Sequence, residues 1–202
     1  MKIGVLGGTF DPIHNGHLGI AEAACRQLGL ERVMFVPARS PWLKGDRAIT
    51  PPRHRVEMIK LAAAFDPRYE VSRVDLEREG PSYTVDTLSD LRSELGADAD
   101  FYFILGMDAL KGLEGWRQPG RIVEMCHLVV ARRPGVAMID LKALEASLPG
   151  ISKKVIVIDN ELYNINSTEI RRLVAAGRSI VGLTPDAVAR YIQENGLYVE
   201  EG

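Results

Sequence analysis

The chain has 202 residues, 46% of them hydrophobic, and its 25 basic and 27 acidic residues give a formal net charge of −2 at pH 7. This length suits one domain with a sizeable core, and the balanced charge argues against bulk binding to nucleic acid or to membranes. No stretch approaches the roughly 18 apolar residues of a membrane-spanning helix, and no signal-peptide pattern opens the chain, so we expect a cytoplasmic protein.

The first predicted elements are a strand and a helix joined by a glycine-rich turn. Residues 2–6 form an apolar run typical of a buried strand, and residues 18–28 carry apolar side chains at helical spacing. The helix should begin near His17 and end near Gly29. The turn between them reads GGTFDPIHNGH, starting at Gly7. Such a turn presents helix N–H groups and the positive end of the helix dipole, which suit a phosphate.

Glycines and histidines dominate this turn. We expect Gly7 and Gly8 to let the backbone approach a ligand closely, because they carry no Cβ. Gly16 is expected to turn the chain sharply into the helix. His14 and His17, three residues apart, then stand where the phosphate would lie, which favours a phosphate-handling pair.

Three weaker interpretations of the turn remain open. It could be a generic dinucleotide-binding turn, although it lacks the third glycine of GxGxxG. It is not a Walker loop, because no Gly-Lys-Ser/Thr follows. It could hold zinc, although no cysteine or acidic cluster completes such a site, so we assign the protein no metal ligands. The histidines could also have no role. Elsewhere, the lone Cys25 and Cys126 are expected to be reduced core residues without chemistry.

A second strand at residues 32–37 makes a strand-helix-strand unit, which predicts a right-handed parallel crossover. The polar loop at residues 38–49, which contains Lys44, leaves the carboxyl end of that strand, where ligands bind in open α/β sheets. Thr50 should cap a helix running to about residue 65. The arginines of its first turn, Arg53 and Arg55, are expected to face solvent.

The middle of the chain continues the alternation. Residues 69–75 read as a strand, and residues 85–95 read as a helix capped by Thr84 or Ser82. Residues 101–105 are the most hydrophobic strand candidate and should be central in the sheet. Gly106 and Asp108 follow that strand at a second ligand-facing position.

The chain continues with Trp116, which follows Gly112 and Gly115, and with further alternating elements. The predicted elements are helices at 119–125 and 140–148, strands at 127–131 and 154–158, and helices starting at Asn166, capped by Ser167 or Thr168, and at Thr184-Pro185, capped by Thr184. The fold class is therefore α/β, a Rossmann-like doubly wound parallel sheet with a small C-terminal helical extension. We expect one domain over residues 1–202, with a core to about residue 165 and a helical part from about residue 166.

Two stretches at opposite ends of the chain resemble the motifs of a known enzyme superfamily. Residues 7–17 resemble the H-x-G-H signature of the nucleotidyltransferases, and residues 164–171, NINSTEIR, resemble their second motif, I-S-S-T-x-I-R. PSYT at 81–84, LGMD at 105–108 with Trp116, and ARRPG at 131–135 further resemble the bacterial nicotinate-nucleotide adenylyltransferases. Two stretches depart from the family pattern: Asn166 replaces the first serine of the second motif, and SPWLK at 40–44 differs from the usual P-P-H-K.

The resemblance implies adenylyl transfer from ATP to nicotinate mononucleotide, without a covalent intermediate, and Mg²⁺ arriving with ATP. It implies catalytic roles for His14, His17 and Arg171. The residues expected to bind the nucleotide are Gly7, Gly8, Thr9, Phe10, Gly16, Gly106, Asp108, Arg132, Ser167 and Thr168. The residues expected to bind the acceptor are Lys44, Thr84 and Trp116.

Several alternatives stay open at this stage. A sister transferase acting on phosphopantetheine or on nicotinamide mononucleotide would share both main motifs, and a catalytically silent nucleotide sensor belongs to another class. Asp108 could instead cap a local helix, Arg132 could be a salt-bridge partner, and Lys44 could lie in a solvated loop. The sequence also leaves open whether the chain forms a homo-oligomer.

Overall fold

The computed structural model describes residues 1–40, 49–132, 140–160 and 165–199. Within these ranges it contains a six-stranded sheet in the order β3-β2-β1-β4-β5-β6, and each adjacent pair of strands is parallel. The strands are β1 (Lys2–Gly8), β2 (Arg32–Pro37), β3 (Tyr69–Val71), β4 (Asp100–Gly106), β5 (Cys126–Arg132) and β6 (Val155–Asp159). This is the order of the doubly wound dinucleotide-binding sheets. The predicted fold class and the central position of β4 are confirmed.

Helices cover both faces of the sheet. They are α1 (Asn15–Leu28), α2 (Pro52–Ala63), α3 (Val74–Glu77), α4 (Thr84–Leu95), α5 (Met107–Lys111), α6 (Pro119–Met125), α7 (Leu141–Ser147), α8 (Ser167–Ala175) and α9 (Asp186–Glu194). One apolar core joins the sheet to α1, α2, α8 and α9, and a second joins it to α3 through α7. None of these helices is long and apolar enough to cross a membrane.

The two cores follow from the strand pattern. Successive side chains of a strand point to opposite faces, so that in β1 Ile3 and Val5 belong to one core and Leu6 to the other. Strands buried on both faces read as continuous apolar runs. That is why the bounds of β2 agree with the predicted range.

The predicted strand at residues 69–75 is wrong in its second half. β3 is an edge strand that pairs with β2 over only three residues, Tyr69 to Val71. Val74–Glu77 instead forms the helical turn α3, and its Asp75 points inward to accept hydrogen bonds from Arg78 and Thr87.

The predicted helix caps are also wrong. The N-cap of α2 is Pro51 rather than Thr50, and the N-cap of α4 is Tyr83, which makes Thr84 its first helical residue. The N-cap of α9 is Pro185, because the hydroxyl of Thr184 donates instead to the distant carbonyl of Ile13 (2.9 Å).

The second motif is capped by the residue that departs from the family pattern. Asn166 is the N-cap of α8, and its side chain accepts the backbone N–H of Glu169 at 2.8 Å. Ser167 and Thr168 are therefore the first two residues of the helix rather than its caps. An asparagine fills this position well, because Asn ranks among the best N-cap residues.

Candidate active site

The main cavity lies at the carboxyl ends of β1 and β4 and has a volume of about 450 Å³. These two strands flank the point where the strand order reverses, which is where doubly wound sheets bind ligands. The residues of the predicted site that line the cavity are Gly7, Gly8, Thr9, Phe10, Thr84, Gly106, Trp116, His17 and Ser167. The structure thus brings most of the predicted site together.

The two glycines at the end of β1 differ in the space around them. A Cβ built on Gly8 would lie 3.0 Å from the ring of Phe10, and one built on Gly7 would lie 3.7 Å from the ring of Phe103. The Phe10 ring is 1% exposed and packs edge-on against His17 and Phe35. The aromatic ring beneath the site therefore leaves little room for a Cβ at Gly8, and the close approach of a ligand to both glycines stays a prediction.

His17 is held by the backbone of His14. The helix α1 starts at Asn15 with His14 as its N-cap, and the His14 N–H donates to Nδ1 of His17 at 3.2 Å. Because Nδ1 accepts this bond, the neutral ring carries its proton on Nε2. His14 is buried, its ring stacked on His17 at 3.7 Å. Of the two histidines, His17 is the one that lines the cavity.

The sharp turn predicted at Gly16 is wrong, whereas its contact with the nucleotide stays a prediction. Because α1 begins two residues before the predicted start, Gly16 lies buried inside its first turn and does not have a positive φ. One N–H of this turn is also used within the protein, since the N–H of Asn15 donates to the carbonyl of Leu183 at 3.0 Å.

The second motif docks on the carbonyl groups of the first. The Ser167 hydroxyl donates to the Pro12 carbonyl at 3.0 Å, and Nη1 of Arg171 donates to the Asp11 carbonyl at 2.6 Å. These contacts join segments about 155 residues apart in the chain. The two motifs therefore form one structural unit.

Arg171 and Thr168 face a second cavity. Nη2 of Arg171 donates to the Thr168 hydroxyl at 3.1 Å, and both residues line a space of about 380 Å³ together with Asp11 and Arg172. They do not line the main cavity. Both cavities border the same loop, since Thr9 lines one and Asp11 lines the other.

A further predicted residue, Asp108, lies apart from the main cavity. Asp108 is exposed in the first turn of α5 and does not line the main cavity; it does not cap that helix either, since the N-cap is Gly106. Lys44 and the side chain of Arg132 lie outside the described part of the chain. Within that part, no group of three or more His, Cys, Asp or Glu side chains could hold a metal ion.

The opposite wall of the cavity contains the start of α4 and a tryptophan. Thr84 is the first residue of α4, and the first N–H groups of a helix have no partner within it. Trp116 lies edge-on to Phe103 with ring centroids 6.1 Å apart. An indole ring and a helix N-terminus therefore face one space, and together they suit an aromatic ligand that carries a negative charge.

Sequence reasoning missed the buried Asp75 in this wall. It is 6% exposed and accepts hydrogen bonds of 2.6 Å from Arg78 and from the Thr87 hydroxyl, which ties α3 to α4. Burial lowers the pKa of Arg78, but its bonds to Asp75 and Asp90 outweigh this and raise it above its usual value. Nothing in the sequence around Asp75 indicates that this carboxylate would face inward.

Arg55 was expected in solvent but is 1% exposed. Its Nη1 donates to the Thr9 carbonyl at 2.8 Å and its Nε to the Thr50 carbonyl at 2.9 Å. Burial lowers the pKa of this guanidinium, and the negative charge of Asp11 opposes the shift. A signal was present in the sequence, since Arg55 stands three residues before the buried Met58 and thus on the apolar face of α2.

The chain belongs to the cytidylyltransferase-like family, whose model matches residues 5–173. A relative from Roseiflexus castenholzii (strain DSM 13941 / HLO8) is 47% identical over 98% of this chain and 98% of its own length. A relative from Dehalococcoides mccartyi (strain CBDB1) is 40% identical over 98% of this chain and 97% of its own. Both carry the name "Probable nicotinate-nucleotide adenylyltransferase".

Solved structures share the fold. Two structures of the Plasmodium falciparum nicotinic acid mononucleotide adenylyltransferase, one complexed with APC and one with NaAD, superpose with TM-scores of 0.76 and 0.77. Each is 22% identical in sequence and covers 98% of this chain, which in turn covers 96% and 97% of those chains. At this level of identity the likeness concerns the architecture.

Proposed function

We propose that this protein is a nicotinate-nucleotide adenylyltransferase of NAD biosynthesis. It transfers the adenylyl group of ATP to nicotinate mononucleotide and releases pyrophosphate and deamido-NAD. The observation that carries the proposal is one cavity lined by His17, by Thr84 at the start of α4 and by Trp116. Relatives named for this activity, at 40–47% identity over nearly the full chain, support it.

The reaction needs no general base in this site. The attacking group is a phosphate monoester, whose second pKa of about 6 leaves it mostly dianionic at neutral pH. The protein has to hold two anions together and stabilise the charge that grows on the α-phosphate and on the departing pyrophosphate. Fixed hydrogen-bond donors and cationic side chains perform this task.

His17 is proposed as the donor to the α-phosphate. Its ring is held through Nδ1, so Nε2–H is fixed before substrate arrives and costs no reorganisation during the reaction. His14 supports the ring from behind by stacking. The backbone of Thr9 and Phe10 is proposed to lie beneath the nucleotide, with amide groups directed at a phosphate.

The second motif is proposed to hold the remaining phosphates. Ser167 reaches the main cavity, whereas Thr168 and Arg171 line the adjoining one, so a polyphosphate that crosses the loop at Asp11 would meet all three. Mg²⁺ would arrive as the ATP complex, held largely by the phosphates, which is its usual mode of binding. Gly106, with Asp108 and Arg132, is proposed for the adenosine side.

The acceptor is proposed to lie between α4 and Trp116. Its carboxylate would accept hydrogen bonds from N–H groups at the start of α4 and from the Thr84 hydroxyl, and its pyridine ring would stack on Trp116. Lys44 is proposed as a further contact to the acceptor phosphate. A cytoplasmic location stays a prediction, as does the single domain with a boundary near residue 165, and the possibility of a homo-oligomer stays open.

Pyrophosphate release tests this function directly. The protein is incubated with ATP, Mg²⁺ and one acceptor at a time: nicotinate mononucleotide, nicotinamide mononucleotide or phosphopantetheine. We expect rapid release with the nicotinate form. Release with phosphopantetheine alone would indicate a sister transferase, and ATP binding without release in any mixture would indicate a nucleotide sensor.

A further inference from the structure

The fully buried Arg55 makes its contacts at the rear of the proposed nucleotide site. It does not line the main cavity, yet its Nη1 donates to the carbonyl of Thr9, which does. Through Nε it also holds the carbonyl of Thr50, just beyond the loop that follows β2. One side chain therefore fixes two backbone segments from behind.

The contact at Thr9 determines how the next amide group is oriented. The peptide bond between Thr9 and Phe10 is trans, and in a planar trans peptide the C=O and N–H groups point in opposite directions. With the Thr9 carbonyl held toward Arg55, the N–H of Phe10 must point away from Arg55. Phe10 also has a φ of 49°, a left-handed conformation that is uncommon for a bulky residue, so this peptide needs support.

We propose that Arg55 is a positioning residue, which orients the Thr9–Phe10 peptide so that the Phe10 N–H is directed at a phosphate of the bound nucleotide. This rests on the proposed function, because it takes a nucleotide as the ligand. Arg55 itself touches no substrate.

A guanidinium group suits this position for two reasons. Its planar set of donors reaches the carbonyl groups of Thr9 and Thr50 at once, which a single ammonium group cannot reproduce with the same geometry. The negative charge of the nearby Asp11 carboxylate favours the buried positive charge of Arg55. The same carboxylate accepts a hydrogen bond from the Tyr198 hydroxyl at 2.9 Å. Arg55 therefore interacts with this loop at two positions, the Thr9 carbonyl and the Asp11 carboxylate.

The test compares Arg55→Met, which keeps much of the side-chain volume but removes the donors, with Arg55→Lys, which keeps the charge. Arg92→Met is the matched control, because Arg92 is a partly buried arginine that donates to the carbonyl groups of Ala97, Ala99 and Met125, away from the cavity. Kinetics are measured well below each melting temperature, so that only folded protein is compared.

We expect kcat to fall about 10- to 100-fold in Arg55→Met, the effect of a misaligned donor, and less in Arg55→Lys. Arg92→Met should lose comparable thermal stability yet keep kcat within about twofold of the wild type. A wild-type kcat in Arg55→Met, or an equal loss in Arg92→Met, would overturn the proposal. If Arg55→Met does not fold, Arg55→Lys decides, and a wild-type kcat there overturns it.

A second readout follows the Phe10 amide itself. The chain has five phenylalanines, so ¹⁵N-phenylalanine labelling gives a simple NMR spectrum in which Phe10→Leu identifies the Phe10 signal. On addition of ATP with Mg²⁺ and no acceptor, the Phe10 amide proton should move downfield in the wild type and in Arg92→Met. The shift should be less than half as large in Arg55→Met. An equal shift in Arg55→Met, or none in the wild type, would contradict the proposal.

The two readouts separate this inference from the proposed function. If ATP moves the Phe10 amide in an Arg55-dependent manner but nicotinate mononucleotide yields no pyrophosphate, the proposed acceptor is wrong and the positioning role stands. If pyrophosphate is released normally by Arg55→Met, the positioning role is wrong and the proposed function stands.

Discussion

Exchanging His17 for asparagine or for glutamine should separate its structural bond from its catalytic one. The Oδ1 of asparagine can take the place of Nδ1 and accept the His14 N–H, but the variant has no donor at the position of Nε2. A glutamine amide can reach the position of Nε2, but it leaves the His14 N–H without its present acceptor. One variant thus keeps the helix cap and the other keeps the cavity donor.

The expected magnitudes follow from these two bonds. Loss of one preorganised donor costs about 10²–10³ in kcat, so His17→Asn should fall by that amount with its stability nearly unchanged. Loss of a capping acceptor costs about 1 kcal/mol, which for a chain of this size corresponds to a decrease of about 2–4 °C in the melting temperature. His17→Gln should show that decrease and keep more of its activity.

Pyrophosphate release under saturating ATP, Mg²⁺ and nicotinate mononucleotide measures kcat, and thermal unfolding measures stability, with His17→Ala as the variant that loses both bonds. The reasoning would be refuted if His17→Asn turned over at close to the wild-type rate. It would also be refuted if the asparagine variant were the less stable of the two.

Three further predictions concern packing, phosphate binding and thiol chemistry. Gly8→Ala should lower the free energy of unfolding by about 1–3 kcal/mol, since its Cβ would lie 3.0 Å from the packed Phe10 ring. Gly7→Ala should leave the free energy of unfolding nearly unchanged, and urea titration of the two variants compares their stabilities. Arg171→Met should weaken ATP binding by about 1.5–3 kcal/mol in calorimetry, the range for a hydrogen bond to a charged group, and unchanged affinity would remove Arg171 from the site. Burial raises the pKa of the Cys126 thiol to about 12, so Ellman's reagent should not modify it in the folded protein at neutral pH; rapid labelling would contradict its burial.

Much of the architecture can be predicted from the sequence because buried parallel strands are apolar without interruption. β2 and β4 have no polar residue between their ends, so that their positions are clear. The glycine-rich turn after β1 and the polar residues after β4 then indicate a site at one edge of the sheet. These inferences need only local patterns, and most of the predicted cavity residues follow from them.

One helix cap could not be predicted because its side chain binds a partner that is distant in the chain. The hydroxyl of Thr184, a good capping group, is used 171 residues away at Ile13. Asn166, which departs from the family pattern of the second motif, is the residue that caps α8. Whether a side chain caps its own helix or forms a hydrogen bond with a distant group depends on the folded structure.

Arg55 shows a different limit. Helical spacing placed it on the apolar face of α2, but charge argued for solvent, and in sequence reasoning charge is the stronger indication. It is buried because the carbonyl groups of Thr9 and Thr50 accept its hydrogen bonds. Neither acceptor can be recognised without the fold.

The choice of acceptor tests the central claim most directly. Nicotinate and nicotinamide mononucleotide differ at one group. The nicotinate form carries a carboxylate, which only accepts hydrogen bonds, whereas the nicotinamide form carries an amide, which also donates them. A wall built from N–H groups at the start of α4 and the Thr84 hydroxyl should reject the amide. Sites that match the hydrogen bonds of a substrate can discriminate against an analogue by about 10⁴–10⁵ in kcat/KM. Sites that recognise shape alone reach about 10–200-fold. Trp116→Ala should raise KM for both acceptors and leave their ratio nearly unchanged.

The measurement is kcat/KM for each mononucleotide at saturating ATP, in the wild type and in Trp116→Ala. We predict that the wild type favours the nicotinate form by more than about 200-fold, beyond what shape alone provides. Equal values for the two acceptors, or a preference for the amide, would contradict the account of how this cavity recognises its substrate.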